Sequence, residues 1–275
     1  MCRWLAYAGD AIPIDWLTVR ASHSLIDQSL NARMGETTTN GDGFGLGWYD
    51  GTETPGLYRS MRPAWSDRNL RELAAHVTSP LFFAHVRAST GSAVQDTNCH
   101  PFRYGRWLFM HNGLVREFGR LKRDMLLGVD ASLLPEVEGS TDSELLFYLA
   151  LTFGAEDDPI TALERVAGFI EAAGERHGVA QPLQMAAALT DGARIVAVRY
   201  SSEMKSRSLF YSTDARAIKE QYPNDPRIQS VSDEVHTVVS EPLADLADAW
   251  KEIPESSVVV MQSGEDEFRR FVPRR

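Results

Sequence analysis

Six stretches rich in β-branched and aromatic residues recur along the chain: 81–88 (LFFAHVRA), 106–111 (RWLFMH), 194–200 (RIVAVRY), 207–213 (RSLFYST), 235–240 (VHTVVS) and 257–262 (SVVVMQ). Short apolar runs of this composition predict strands. Between them, apolar positions at helical spacing predict helices over 15–30, 66–77, 115–127, 141–153 and 160–173. Ser66 is placed to cap the second helix. Ser140 or Thr141, followed by Ser143 and Glu144, opens the fourth with acceptors for unpaired backbone N–H groups. The late strands are joined by short connections, and 194–200 followed by 207–213 reads as a hairpin, so antiparallel pairing and an α+β fold are expected. No internal repeat or low-complexity linker interrupts the pattern. The loops at 154–159 and 222–226 (YPNDP) do not demand a boundary, and residues 1–275 are expected to form a single domain.

Composition narrows the classes. With 43% hydrophobic and 24% charged residues, the chain can bury a substantial core without staples. The 28 Lys+Arg stand against 38 Asp+Glu, a formal charge of −10 that repels phosphate backbones, so no nucleic-acid partner is expected. Arg116, Arg120, Lys122 and Arg123 read as the solvated face of a helix. Cys2 and Cys99 are too few for a disulfide framework, and no His/Cys pair has zinc spacing, so neither metal nor cofactor is expected. Nothing approaches the ~20 apolar residues of a membrane span, and the start (MCRWLAY) turns polar too soon for a secretory signal; a cytoplasmic protein off the membrane is expected.

The chemistry begins at Cys2. Removal of Met1 before a small second residue would leave a thiol and a free α-amine on one residue. The amine titrates at about 7.7–8 and the thiol at about 8.5, so nucleophile and base could be supplied together. Alone, a second-position cysteine reads as an accident of sequence. Four further clusters follow it: His85-Val86-Arg87-Ala88-Ser89-Thr90-Gly91, Asn98-Cys99-His100-Pro101-Phe102, His111-Asn112-Gly113 and Ser140-Thr141-Asp142-Ser143-Glu144. Each has a bland reading: a surface ion pair for Arg87, a turn for Asn-Gly, a helix start for Asp142.

In this order, behind a cysteine at position two, they resemble the glutaminase domain of class II amidotransferases. The opening CRWLAY, the segment 41–48 and Val238-Val239-Ser240-Glu241-Pro242-Leu243 are similar to short stand-alone bacterial members and to the γ-glutamyl amide hydrolase of ergothioneine biosynthesis. The resemblance implies a four-layer α-β-β-α sandwich of two antiparallel sheets, the N-terminal-nucleophile hydrolase fold. It makes Cys2 the catalytic thiol, with Asn112 (side-chain amide) and Gly113 (backbone N–H) as the oxyanion hole. Arg87 would hold the substrate α-carboxylate and Asp142 the α-ammonium, with His85 and Thr90 lining the pocket. Two anchors of opposite sign also make physical sense for an amino-acid head group. The sequence departs from the synthase pattern in having Ala88 after the arginine and no His before Gly91, which bears on acceptor signalling rather than on the anchors. His111 is expected to be hydrogen-bonded and structural.

The segment Gly41-Asp42-Gly43-Phe44-Gly45-Leu46-Gly47-Trp48 lacks the spacing of a phosphate cradle. It reads instead as a tightly packed strand beside the one carrying Cys2, with Asn40 and Asp42 near the nucleophile's amine. Without room for a typical synthase domain, the chain is expected either to hydrolyse glutamine or a γ-glutamyl amide itself or to pass ammonia to a protein partner. An N-terminal-cysteine acylase and a non-enzymatic subunit that keeps the fold are the rival readings.

Overall fold

The computed structural model describes residues 2–35, 37–89, 91–246, 248–262 and 266–275. Its strands are β1 (Arg3–Pro13), β2 (Phe44–Tyr49), β3 (Gly56–Ser60), β4 (Thr78–Val86), β5 (Phe102–Tyr104), β6 (Trp107–Val115), β7 (Leu183–Thr190), β8 (Ile195–Ser201), β9 (Phe210–Asp214), β10 (Glu234–Val239), β11 (Lys251–Glu252), β12 (Ser257–Met261) and β13 (Glu267–Arg270). The helices are α1 (Asp15–Thr18), α2 (Leu25–Asn31), α3 (Arg68–His76), α4 (Phe118–Gly128), α5 (Asp142–Thr152), α6 (Pro159–His177), α7 (Arg216–Lys219) and α8 (Pro226–Gln229).

A seven-stranded sheet runs β11-β9-β10-β1-β4-β2-β3 and a six-stranded one β13-β12-β8-β7-β6-β5, and their strands pair antiparallel. Period-two alternation sorts each strand's side chains between two cores. From the first sheet, Leu5, Tyr7, Phe82, Ala84 and Leu46 face α1, α2 and α3, while Trp4, Ala6, Leu81 and Phe83 face inward. From the second, Phe109, Met185 and Val198 face α4, α5 and α6, while Leu108, Met110, Ala188 and Ala197 meet the first sheet. The result is four layers, α-β-β-α. Each fully buried large apolar side chain contributes about 1.5–3 kcal/mol, which explains why strands covered on both faces carry such continuous apolar runs.

Several expectations need correction. The stretches 194–200 and 207–213 do not form a hairpin: β8 pairs with β7 and β12, whereas β9 pairs with β10 and β11 in the other sheet. The connection crosses between sheets, with Leu209 buried in the central core and Ser206 fastened by its N–H to Glu255 (2.9 Å). The partner of β8 is the alanine-rich β7 (LQMAAALT), whose small side chains let the two sheets approach closely at the cost of an obvious strand signature. The helix expected over 15–30 is broken, because Ser24 accepts from Asp27 N (3.2 Å) and starts α2 afresh. Asp67 rather than Ser66 caps α3, accepting from Leu70 N at 2.9 Å, and Val115 belongs to β6 instead of opening α4. The glycine-rich β2 does not lie beside β1, since β4 separates them. Its close approach is to the facing layer, where a Cβ on Gly45 would stand 2.3 Å from the His100 carbonyl oxygen.

Candidate active site

Cys2 sits one residue before the β1 ladder, which opens with Arg3 opposite Val86. Its thiol donates to the Ala88 carbonyl (3.7 Å), and its own carbonyl accepts from Arg3 Nη1 (2.9 Å). It lines a cleft with Arg87, Ala88, Ser89, Asn112, Gly113 and Asp142. Burial pushes the thiol up, while the Ala88 hydrogen bond and the Arg87 and Arg3 charges pull it down. Met1 lies outside the described residues.

Arg87 follows the last residue of β4 and is 3% exposed. Its guanidinium donates to neutral oxygens: Ser92 Oγ at 2.6 Å, the Ala93 carbonyl at 3.2 Å, Ser89 Oγ at 3.3 Å and the Asp42 carbonyl at 3.3 Å. Among the described residues it has no ion-pair partner. A buried guanidinium held by dipoles alone is an unusual arrangement, because desolvation of the charge is normally offset by a carboxylate. Asp142 is the first residue of α5, behind the N-cap Thr141. Its carboxylate accepts from Val115 N (2.7 Å) and Ser143 N (2.8 Å), and it too has no ion pair with a described residue. Opposite charges therefore line one cleft without neutralising each other.

Asn112 and Gly113 lie within β6, opposite Ala186 and Met185, and not in a turn. The Asn112 side chain is 4% exposed, lines the cleft and makes no hydrogen bond to another described residue. Glycine at 113 is enforced by packing, since a Cβ there would lie 1.9 Å from the Gln184 carbonyl oxygen. Both ring nitrogens of His111 are engaged, Nδ1 with Ser143 Oγ (2.8 Å) and Nε2 with the Gln184 carbonyl (3.1 Å). Burial lowers its pKa, against the pull of Asp142.

The placement of His85 as a pocket residue is corrected: it is fully buried in β4, stacked on His100 with ring centroids 4.2 Å apart, and does not line the cleft, whereas His100 does. Burial and the Arg87 charge hold His85 down to about 3, so it is a neutral spacer between the sheets. Thr90 lies outside the described residues. Asn40 and Asp42 are not in the lining either; Asn40 donates to the Gln28 carbonyl (3.1 Å), and Asp42 accepts from Ser89 N (2.7 Å), which braces the loop after Arg87. Cys99 is buried, its thiol raised to about 11 by burial. No group of three or more His, Cys, Asp or Glu among the described residues could hold a metal. Sequence reasoning missed Ser92, which holds Arg87, and Arg207, which the cross-sheet connection carries into the lining.

Two face-to-face antiparallel sheets between helical layers are the layering of the N-terminal-nucleophile hydrolase fold, with the Cys2 thiol at the head of the first strand. A family model described as class-II glutamine amidotransferases matches residues 17–273, and the chain belongs to that family. The match begins past Cys2, so it stands independently of the thiol. The probable glutamine amidotransferase DUG3 of Saccharomyces cerevisiae is 32% identical across 95% of this chain and 82% of its own. The gamma-glutamyl-hercynylcysteine sulfoxide hydrolase of Mycolicibacterium smegmatis is 26% identical over 85% of this chain and 93% of its own. Among solved structures, a glutamine aminotransferase class-II domain protein from Silicibacter pomeroyi superposes with a TM-score of 0.73 at 33% identity, covering 99% of this chain and all (100%) of that one. The glutamine phosphoribosylpyrophosphate amidotransferase of B. subtilis shares the fold, with a TM-score of 0.64 at 14% identity over 50% of its chain. No helix among the described residues is long and apolar enough to cross a membrane.

Proposed function

We propose that this chain, as a single stand-alone domain, hydrolyses the γ-amide of glutamine or of a γ-glutamyl compound through a thioester on Cys2. The observation that carries the reading is the pair of unneutralised charges, Arg87 and Asp142, lining one cleft with the thiol. An amino-acid head group carries the complementary pair: its carboxylate would complete the Arg87 cradle and its ammonium would meet Asp142. Held at both charges, the side-chain amide is delivered to Cys2 in one orientation, so that attack becomes effectively unimolecular.

With Met1 removed, the α-amine of Cys2 takes the thiol proton and the thiolate attacks the amide carbon. The Asn112 amide, with no hydrogen-bond partner among the described residues, and the Gly113 N–H receive the negative oxygen; one such donor contributes about 10²–10³ in rate. The C–N bond breaks as the leaving nitrogen takes the proton. Water then attacks the thioester carbon, the C–S bond breaks and the thiol is restored. The hydrolase name of the Mycolicibacterium relative supports water as the final acceptor. A free thiol used in this way suits the reducing cytoplasm.

The test uses purified protein with Cys2 as first residue, assayed for ammonia or amine release from L-glutamine, γ-glutamylglycine and N-acetylglutamine. Release from the first two and none from the N-acetyl compound, which lacks the ammonium, is expected. Equal turnover of N-acetylglutamine would favour an acylase of another class. Release from glutamine that depends on an added cell protein would assign the chain as an ammonia-supplying subunit.

A further inference from the structure

The motif Ser240-Glu241, singled out in the sequence and unused by the mechanism above, directly follows β10 beside the residues after Cys2. Ser240 Oγ accepts from Trp4 N (2.8 Å), and Ser240 N donates to the Trp4 carbonyl (3.0 Å). Glu241 is 2% exposed, and its two carboxylate oxygens collect four donors: Arg3 Nε (2.8 Å) and Met34 N (3.0 Å) on Oε2, His23 Nε2 (2.6 Å) and Arg33 N (2.8 Å) on Oε1. A carboxylate saturated in this way is rigid, and it holds a guanidinium whose other arm, Nη1, donates to the Cys2 carbonyl. Cys2 stands outside the ladder, so this contact holds its peptide where strand pairing does not, while its thiol donates to the Ala88 carbonyl.

We propose that Arg3 and Glu241 are positioning residues for the nucleophile: Glu241 locks the Arg3 fork, and the fork sets the Cys2 peptide so that the thiol faces the amide held by Arg87 and Asp142. His23, wedged between Glu241 and Asp27 (Nδ1 to Oδ2, 2.7 Å), completes the clamp and ties it to α2. A planar fork is required, because one end must meet a carboxylate while another reaches a carbonyl; an ammonium supplies a single point. Reactive geometry is steep in distance, with ~1 Å of misplacement costing about 10²-fold.

The inference rests on Cys2 being the nucleophile, and the experiment separates the two claims. Inactivation by 6-diazo-5-oxonorleucine is followed in the full chain with Cys2 as first residue, resolving kinact from KI. Wild type, Arg3→Lys, Glu241→Gln and Glu164→Gln are compared, the last neutralising a buried carboxylate of α6 that pairs with the exposed Arg274. Arg3→Lys and Glu241→Gln are expected to lower kinact at least tenfold with KI within threefold, because the head-group anchors remain. Glu164→Gln is expected to lose thermal stability without losing kinact. Should Glu241→Gln fail to fold, Arg3→Lys decides. Wild-type inactivation with Arg3→Lys equally fast, or a loss carried wholly by KI, overturns the positioning role and leaves the nucleophile intact. A wild type that does not react at Cys2 overturns the nucleophile instead.

Discussion

Arg3 and Arg87 are both buried cations of the seven-stranded sheet, 2% and 3% exposed, and register places Arg87 one residue beyond the partner of Arg3. They flank the same thiol and differ in what answers their charge. Arg3 meets the Glu241 carboxylate at 2.8 Å, whereas Arg87 meets hydroxyls and carbonyls. A buried charge that already has its counter-ion belongs to the scaffold; one that has only dipoles is prepared for a counter-ion from outside. Under the proposed function, the comparison separates the residue that would hold the nucleophile from the one that would hold the substrate.

That distinction can be broken most forcefully at Glu241. Glu241→Ala strands Arg3 and His23 in the interior and is expected to cost about 3–5 kcal/mol of stability, read by urea unfolding. A change under 1 kcal/mol would remove the contrast. At Arg87 the pattern should invert: Arg87→Met is expected to lower kcat/KM for the preferred γ-glutamyl substrate about 10²–10³-fold, mainly through KM. Its melting temperature should hold or rise, since an uncompensated buried charge has been deleted. A collapse of stability there would make Arg87 scaffold after all.

A smaller effect sharpens the comparison through pH. Burial disfavours the His23 cation, but its hydrogen bonds to the Glu241 and Asp27 carboxylates outweigh it and raise its pKa. A raised folded pKa means that stabilisation is fully present below the unfolded value, about 6.5, and is lost as pH rises through the folded one. The stability difference between wild type and His23→Gln should therefore shrink from pH 6 upward across that range, while Arg87→Met shows no such trend. Glu241, held down to about 2 by His23, the Arg33 N–H and Arg3 against its own burial, stays ionised throughout the window.

The sequence carried the antiparallel α+β reading and the site motifs because rare residue types, such as an arginine inside an apolar run, stand out against strand composition. It hid what depends on tertiary neighbours. β7 carries three consecutive alanines at its centre, which favour sheet-to-sheet approach over strand propensity. The chain after β8 crosses to the other sheet, so neither the failed hairpin nor the arrival of Arg207 in the cleft could be read locally. His85 looked like a pocket residue because it precedes Arg87, yet alternation along β4 turns it into the interior. The Ser240-Glu241 motif was visible, but its partner Arg3 lies 238 positions away, and only the fold joins them.

The most direct measurement is intact-mass analysis of the native protein followed by peptide mapping after 6-diazo-5-oxonorleucine treatment, with and without L-glutamine. The account predicts that Met1 is absent, that a single adduct sits on Cys2, and that glutamine protects it. An adduct on Cys99 or any other residue, or full labelling of a chain that keeps Met1, would contradict it.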